Sequence, residues 1–298
     1  MATLYTHKDE NIAKTWVLMA VFLGIIMAIG WALSFYFNNP GILVFAVVFA
    51  LVTNIGSYWY SDKLVIAMAR ATPASEEEYP DLNHIVENLA ITAGLPKPKV
   101  YIIQDPAPNA FSTGRNKKHA AVAVTSGLLA MMDHTELEGV IAHELSHIGN
   151  RDILLSTVAV VLVGFATLAS NFFLRISIFG GGGRGNNDKN NPVLMIAAVA
   201  LIVLAPILAT LLQLAISRKR EFLADASGAL LTRYPEGLAN ALRKLGAYAA
   251  PMKTASTATA HLYITNPFGA HATTSAIAKL FQTHPPIPDR IKALIGDR

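Results

Sequence analysis

Hydrophobic and polar positions divide the chain into two kinds of sequence. Four windows, 16–37, 42–60, 153–174 and 193–217, hold no Asp, Glu, Lys or Arg over 22, 19, 22 and 25 residues. At about 1.5 Å of rise per residue, each can cross a ~30 Å hydrocarbon layer as a helix. The scattered Ser, Thr, Asn and Gln within them form no polar face at helical spacing, so these windows are membrane spans and not helices of a large soluble core. Trp16, Trp31, Tyr36, Tyr58, Trp59 and Tyr60 lie mostly toward the ends of the first two windows, as interfacial aromatics do. Pro206 in the fourth implies a kink. Lys8 and Lys14 precede the first window as in a signal peptide, but only Asn38-Asn39-Pro40-Gly41 separate it from the second. The pair therefore reads as an uncleaved hairpin.

Between the spans the patterning changes. Asp81-Leu82-Asn83-His84 opens an apolar-periodic stretch that runs to about Ala93 and stops at Gly94-Leu95-Pro96, which predicts a helix. Residues 99–103 and 120–125 are β-prone, the first rich in β-branched and aromatic residues and the second alternating Ala with Val. Asn109-Ala110-Phe111-Ser112-Thr113-Gly114 predicts an edge strand ending in a turn, and from about His134 the pattern is again helical. The segment 180–191 is rich in Gly and Asn and reads as a flexible connection.

Composition agrees with a membrane chain: of 298 residues, 53% are hydrophobic and only 15% charged, against roughly a quarter in soluble domains. Lys8, Lys14, Lys63, Arg70, Arg151, Arg218, Lys219 and Arg220 lie on the side of the termini, and only Arg175, Arg184 and Lys189 on the other. That imbalance places both termini in the cytoplasm. A basic rim facing anionic headgroups accounts for the net charge of +4, and no nucleic acid partner is implied. The absence of cysteine excludes disulfides, a thiol nucleophile and thiolate metal ligands.

The chemistry begins on the helix from His134. His143-Glu144-Leu145-Ser146-His147 is H-E-x-x-H, which sets two imidazoles one turn apart on one helix face to hold a single Zn²⁺. With nine His and ten Glu in the chain, chance would supply the pattern about 0.01 times. Glu144 is placed to take a proton from a water that the metal activates. A third ligand is needed, with a fourth position left open. Glu221 is the best candidate, one turn before Asp225, which can accept a hydrogen bond from the non-ligating nitrogen of a zinc histidine. Glu221 follows His147 by 74 residues, but windows 153–174 and 193–217 go out and return, so the second hairpin brings the two segments to one membrane face.

These features resemble the HtpX family of membrane-bound zinc metalloproteases, related to the CAAX prenyl proteases. The resemblance spans the paired N-terminal windows, His143–His147, the second hairpin, the Glu221–Asp225 segment and a closing His284-Pro285-Pro286-Ile287-Pro288-Asp289-Arg290. It implies His143, His147 and Glu221 as zinc ligands and Glu144 as general base. It further implies Asn109 as a contact to the substrate backbone, and His284 and Arg290 as contributors near the reacting carbonyl. Taken alone, Pro106-Ala107-Pro108-Asn109 is equally good turn chemistry, and Arg290 could be an ordinary ion-pairing residue. His7, His84, His119, His134, His261 and His271 have no ligand spacing and read as surface or structural.

The resulting fold class is α+β, mainly α: an integral membrane protein with four transmembrane helices and a cytoplasmic zincin-type (gluzincin) metalloprotease domain. Its organisation is a tail and transmembrane hairpin (1–60), a first protease part with H-E-x-x-H (61–152), a second hairpin (153–217) and a second protease part with the third ligand (218–298). The implied activity is a zinc-dependent endopeptidase, one Zn²⁺ per chain, acting on misfolded or damaged proteins under stress. Its partners are protein substrates and the lipid bilayer of the cell membrane. Three rivals stand beside it. An intramembrane-type zinc protease would bury H-E-x-x-H in an apolar span, yet Asp133, Glu136 and Glu138 lead into this helix and Arg151 and Asp152 follow it. A metal transporter would carry ionisable groups within the spans, which hold neither charge nor His. A non-catalytic membrane scaffold would have no use for Glu144 beside the histidine pair.

Overall fold

Helix α1 spans Leu4–Tyr36, 33 residues or about 50 Å, well beyond the ~30 Å a bilayer core requires. The polar residues before Trp16, read above as a tail, are the first turns of this helix. The computed structural model describes residues 4–179, 218–254, 256, 258–269 and 285–296. The fourth apolar window, the Gly/Asn-rich connection, His271 and His284 lie outside them.

Asn38, in the left-handed region, and Asn39 turn the chain into α2, Pro40–Trp59. Asn39 caps the new helix by accepting from the Gly41 N–H, and Pro40 takes the first turn, where no amide partner is needed. Both helices are long and apolar enough to cross a membrane. Large apolar side chains point outward along them, among them Trp31, Phe35, Phe45 and Val52, with Phe35 80% exposed. That surface suits lipid and would be unfavourable in water. The third apolar window folds within α7, Asp152–Phe179, whose first turns pack Leu155, Val158 and Leu162 against Phe22 of α1 and Ala50 of α2.

The remainder is built on a four-stranded sheet. After α3 (Ser61–Met68) come β1 (Thr72–Pro73), α4 (Pro80–Thr92), β2 (Lys99–Ile103), β3 (Ala110–Gly114) and β4 (Ala120–Thr125). Helix α4 ends where Gly94 takes a positive φ and Leu95 N–H reaches back to the Ala90 carbonyl, a Schellman closure. The strand order is β1-β2-β4-β3, with β2 and β4 parallel and β3 antiparallel on the outer edge. The Ala/Val alternation of β4 now has a cause. Val122 and Val124 face the core built with Ile85, Val86, Val140 and Ile141, whereas Ala121 and Ala123 face Val65, Val160 and Val161. The strand is buried on both faces, large on one and small on the other, where α3 and α7 approach.

Helix α5 (Ser126–Met131) leads into α6, His134–Gly149, which carries H-E-x-x-H. Asp133 and Glu136 form a capping box at its start, worth about 1 kcal/mol. At its end Arg151 adopts a left-handed φ and the chain turns 87° into α7. Helices α8 (Arg218–Thr232), α9 (Pro235–Ala247) and α10 (Ile287–Ile295) are the remaining helices of the described residues longer than one turn. Leu238, Leu242 and Leu245 of α9 enter the same core as the sheet and α6.

Candidate active site

The site is assembled by packing α8 against α6. A Cβ on Gly228 would lie 3.0 Å from the His143 amide nitrogen, so any larger residue would push α8 off α6 by a few tenths of an ångström. One turn earlier α8 carries Asp225, and before it Glu221, onto the two histidines. His143 Nε2 and His147 Nε2 lie 3.2 Å apart. Glu221 completes the group, Oε2 being 3.8 Å from His143 Nε2 and Oε1 3.6 Å from His147 Nε2. The ligand atoms of the three residues all fall within 4.8 Å of one another, a set that can hold a metal ion.

Each imidazole is held from behind by its own carboxylate. His143 Nδ1 lies 2.9 Å from Asp225 Oδ1. Asp225 is in turn clasped by Arg290, which donates from Nη2 to Oδ1 at 2.6 Å and from Nε to Oδ2 at 2.8 Å. Burial favours the neutral acid, yet Arg290 and His143 outweigh it and hold the Asp225 carboxyl down at about 2. His147 Nδ1 lies 3.2 Å from Asp152 Oδ2. Burial disfavours an imidazolium there, but Asp152, Glu221 and Glu144 overcome it and raise the His147 pKa to about 9. Around the histidines four buried carboxylates, Glu144, Asp152, Glu221 and Asp225, face two guanidiniums, Arg220 and Arg290. The donor set of two imidazoles and a carboxylate suits zinc.

Glu144 projects from the same helix into a cleft lined by Ser112, His147, Asp152, Arg220 and His261. Its Oε2 accepts a 2.7 Å hydrogen bond from Ser112 Oγ, tying the carboxylate to the edge strand. The β3 register fixes what that strand offers. Thr125 N–H donates to the Asn109 carbonyl across the pair, so Phe111 and Thr113 bond to β4 while Ala110, Ser112 and Gly114 turn their main-chain groups outward. The Ala110 carbonyl is taken by Ile264 N–H and the Gly114 N–H by Thr157 Oγ1. Ser112, between them, presents its outward main chain beside Glu144.

Two residues named by resemblance have partners within the described structure. The Asn109 side chain is buried and engaged in a clamp, Nδ2 donating to the Thr265 carbonyl at 3.0 Å and Oδ1 accepting from Ala110 and Thr265 N–H groups. It ties β3 to the segment before α10 and, with Arg290, lines a second cavity. The Arg290 guanidinium is fully buried, shared between Asp225 and the Ile264 carbonyl, with Nη2 3.4 Å from His143 Nδ1. It buttresses Asp225 and the His143 ring. Asp152 and His261 were missed. Asp152 follows His147 by five residues, off the helical face, and only the 87° bend returns it beneath the ring. His261, taken as surface or structural, is buried and lines the cleft.

Two histidines and a carboxylate from a distant helix, a glutamate beside them and apolar helices below define a membrane-bound metallopeptidase. The comparisons agree. Residues 76–297 match peptidase family M48, and the chain belongs to that family. Over nearly its full length it resembles proteins named protease HtpX homolog. It is 47% identical to that of Caldanaerobacter subterraneus subsp. tengcongensis over 98% of this chain and 97% of the relative. The Thermococcus sibiricus protein is 47% identical over 94% of each chain. That of Lactobacillus helveticus is 43% identical over 98% of this chain and 99% of the relative. Among solved structures, the Ste24p crystal structure from S. mikatae aligns with 20% identity and a TM-score of 0.47, over 99% of this chain and 66% of that one.

Proposed function

We propose that the protein is a zinc-dependent endopeptidase of the cell membrane that cleaves misfolded or damaged membrane and cytosolic proteins. The observation that carries this reading is the convergence of His143, His147 and Glu221, able to hold a metal ion, beside the buried Glu144. One Zn²⁺ per chain, bound there, would lower the pKa of a water and polarise the scissile carbonyl. Glu144 acts as general base toward that water and then delivers the proton to the leaving amine, with Ser112 Oγ holding its Oε2 in place. An extended substrate pairs with the outward main chain of Ser112, which sets its carbonyl beside Glu144. Such main-chain pairing reads no side chain and suits unfolded segments of varied sequence.

The membrane reading completes the proposal. Four spans place both termini and the site on the cytoplasmic face, and residues 61–152 and 218–298 form one protease domain split by the hairpin 153–217. The shared core of α6, the sheet, α8, α9 and α10 supports that division. Glu144→Gln should abolish cleavage of an unfolded protein while the purified variant keeps its zinc. Retained proteolysis in that variant would refute the mechanism.

A further inference from the structure

The surplus length of α1 has a use at the site. A helix of 33 residues outreaches the bilayer core by about 20 Å. Its charge-free apolar window begins only at Trp16, so its first turns project beyond that window. On that projecting part sits Asn11, 3% exposed. Its Nδ2 donates to Asp152 Oδ1 at 2.8 Å and its Oδ1 accepts from Arg220 Nη1 at 2.9 Å. The amide cannot be turned over, because its N–H groups would then meet the guanidinium and its oxygen the carboxylate. The other oxygen of Asp152 lies 3.2 Å from His147 Nδ1, and Arg220 directly precedes Glu221. One side chain of α1 thus touches the carboxylate that orients His147 and the residue adjoining Glu221.

We propose that Asn11 is a positioning residue of the metal site: through Asp152 and Arg220 it fixes His147 and Glu221, so that α1 is part of the catalytic apparatus as well as an anchor. The reach is chemical as well as steric. With its Oδ1 end held by Asn11, Asp152 can aim only Oδ2 at the imidazole, which selects the tautomer that leaves Nε2 free as a ligand. Removing the amide would free Asp152 to rotate toward Arg220, whose Nη1 already lies 3.5 Å from Oδ1.

The inference rests on the metalloprotease reading, and the test separates the two. Zinc affinity is measured by chelator competition on the full-length, detergent-solubilised chain carrying Glu144→Gln to prevent self-cleavage, and kcat and KM are measured in the otherwise unaltered chain. Asn11→Ala should weaken zinc about tenfold and lower kcat with KM nearly unchanged. Asn11→Leu, which fills the space without either hydrogen bond, should do the same and serves if the alanine variant does not fold. Leu33→Ala removes a buried side chain at the far end of α1, away from the Asn11 contacts, and should lower the unfolding temperature while zinc affinity holds. Zinc affinity and kcat at the parent level in both Asn11 variants would overturn the proposal, as would an equal loss of zinc in Leu33→Ala. A parent chain that binds no zinc would instead overturn the metalloprotease reading beneath it.

Discussion

The two histidines of one helix turn are held by two different parts of the molecule. His143 is 1% exposed and backed by Asp225 and Arg290, both from helices that share its hydrophobic core. His147 is 15% exposed and backed by Asp152, at the root of α7, with Asn11 of α1 and Arg220 around it. The first half of the site is locked into the protease core. The second is held by the first turn of α7, by Arg220 and by α1, which is long and apolar enough to cross a membrane, and it opens on the cleft. A metal held by His143, His147 and Glu221 would therefore staple the two halves together, and each half can be loosened separately.

The largest effect should come from the ligand that both halves share. Glu221→Gln should lower zinc affinity by more than a hundredfold and abolish cleavage, as read by metal content after gel filtration and by peptide turnover. Asp225→Asn strikes the buried half. It should cost tenfold to a hundredfold in metal affinity and about 3–5 kcal/mol in stability, because Arg290 is left with an uncompensated buried charge. Thermal unfolding of the metal-free chain reads the second effect. Asp152→Asn strikes the membrane-side half and should also weaken zinc about tenfold, but with a smaller loss of stability, since its surroundings open to the cleft. Equal stability losses in the two variants would erase the distinction between the halves.

The His147 side also carries a pH dependence. Its folded pKa of about 9 lies above the ordinary 6.5, so protonated His147 stabilises the metal-free fold. That contribution is full below pH 6.5 and is lost as pH rises through about 9. Zinc must displace this proton, so its affinity should rise about tenfold per pH unit through the neutral range and level off near pH 9. In Asp152→Asn, titration with zinc should show the levelling at lower pH, because the first carboxylate holding the proton is gone.

How much of this was legible in the sequence follows from the range of each interaction. The strands 99–103 and 120–125, the end of α4 at Gly94 and the start of α6 at Asp133 are written in local patterning, and the structure has them at those places. His143, Glu144 and His147 were visible because a helix repeats every 3.6 residues. The partners of His147 were not. Asp152 comes into place through a left-handed Arg151, and Asn11 through a contact 141 residues away in sequence. Asn109 shows the reverse. Its turn chemistry was plain, but its partner Thr265 lies in a segment with no readable pattern, so the clamp could not be distinguished from a group awaiting substrate.

The central claim is that one zinc joins α6 to α8 through two imidazoles and a carboxylate. X-ray absorption at the zinc edge, on the full-length Glu144→Gln chain in detergent, tests it directly. The account predicts one zinc per chain with two imidazole nitrogens at about 2.0–2.1 Å and light oxygen donors at about 2.0–2.2 Å, and loss of this signal in Glu221→Gln. A third imidazole in the shell, or an unchanged spectrum in Glu221→Gln, would contradict it.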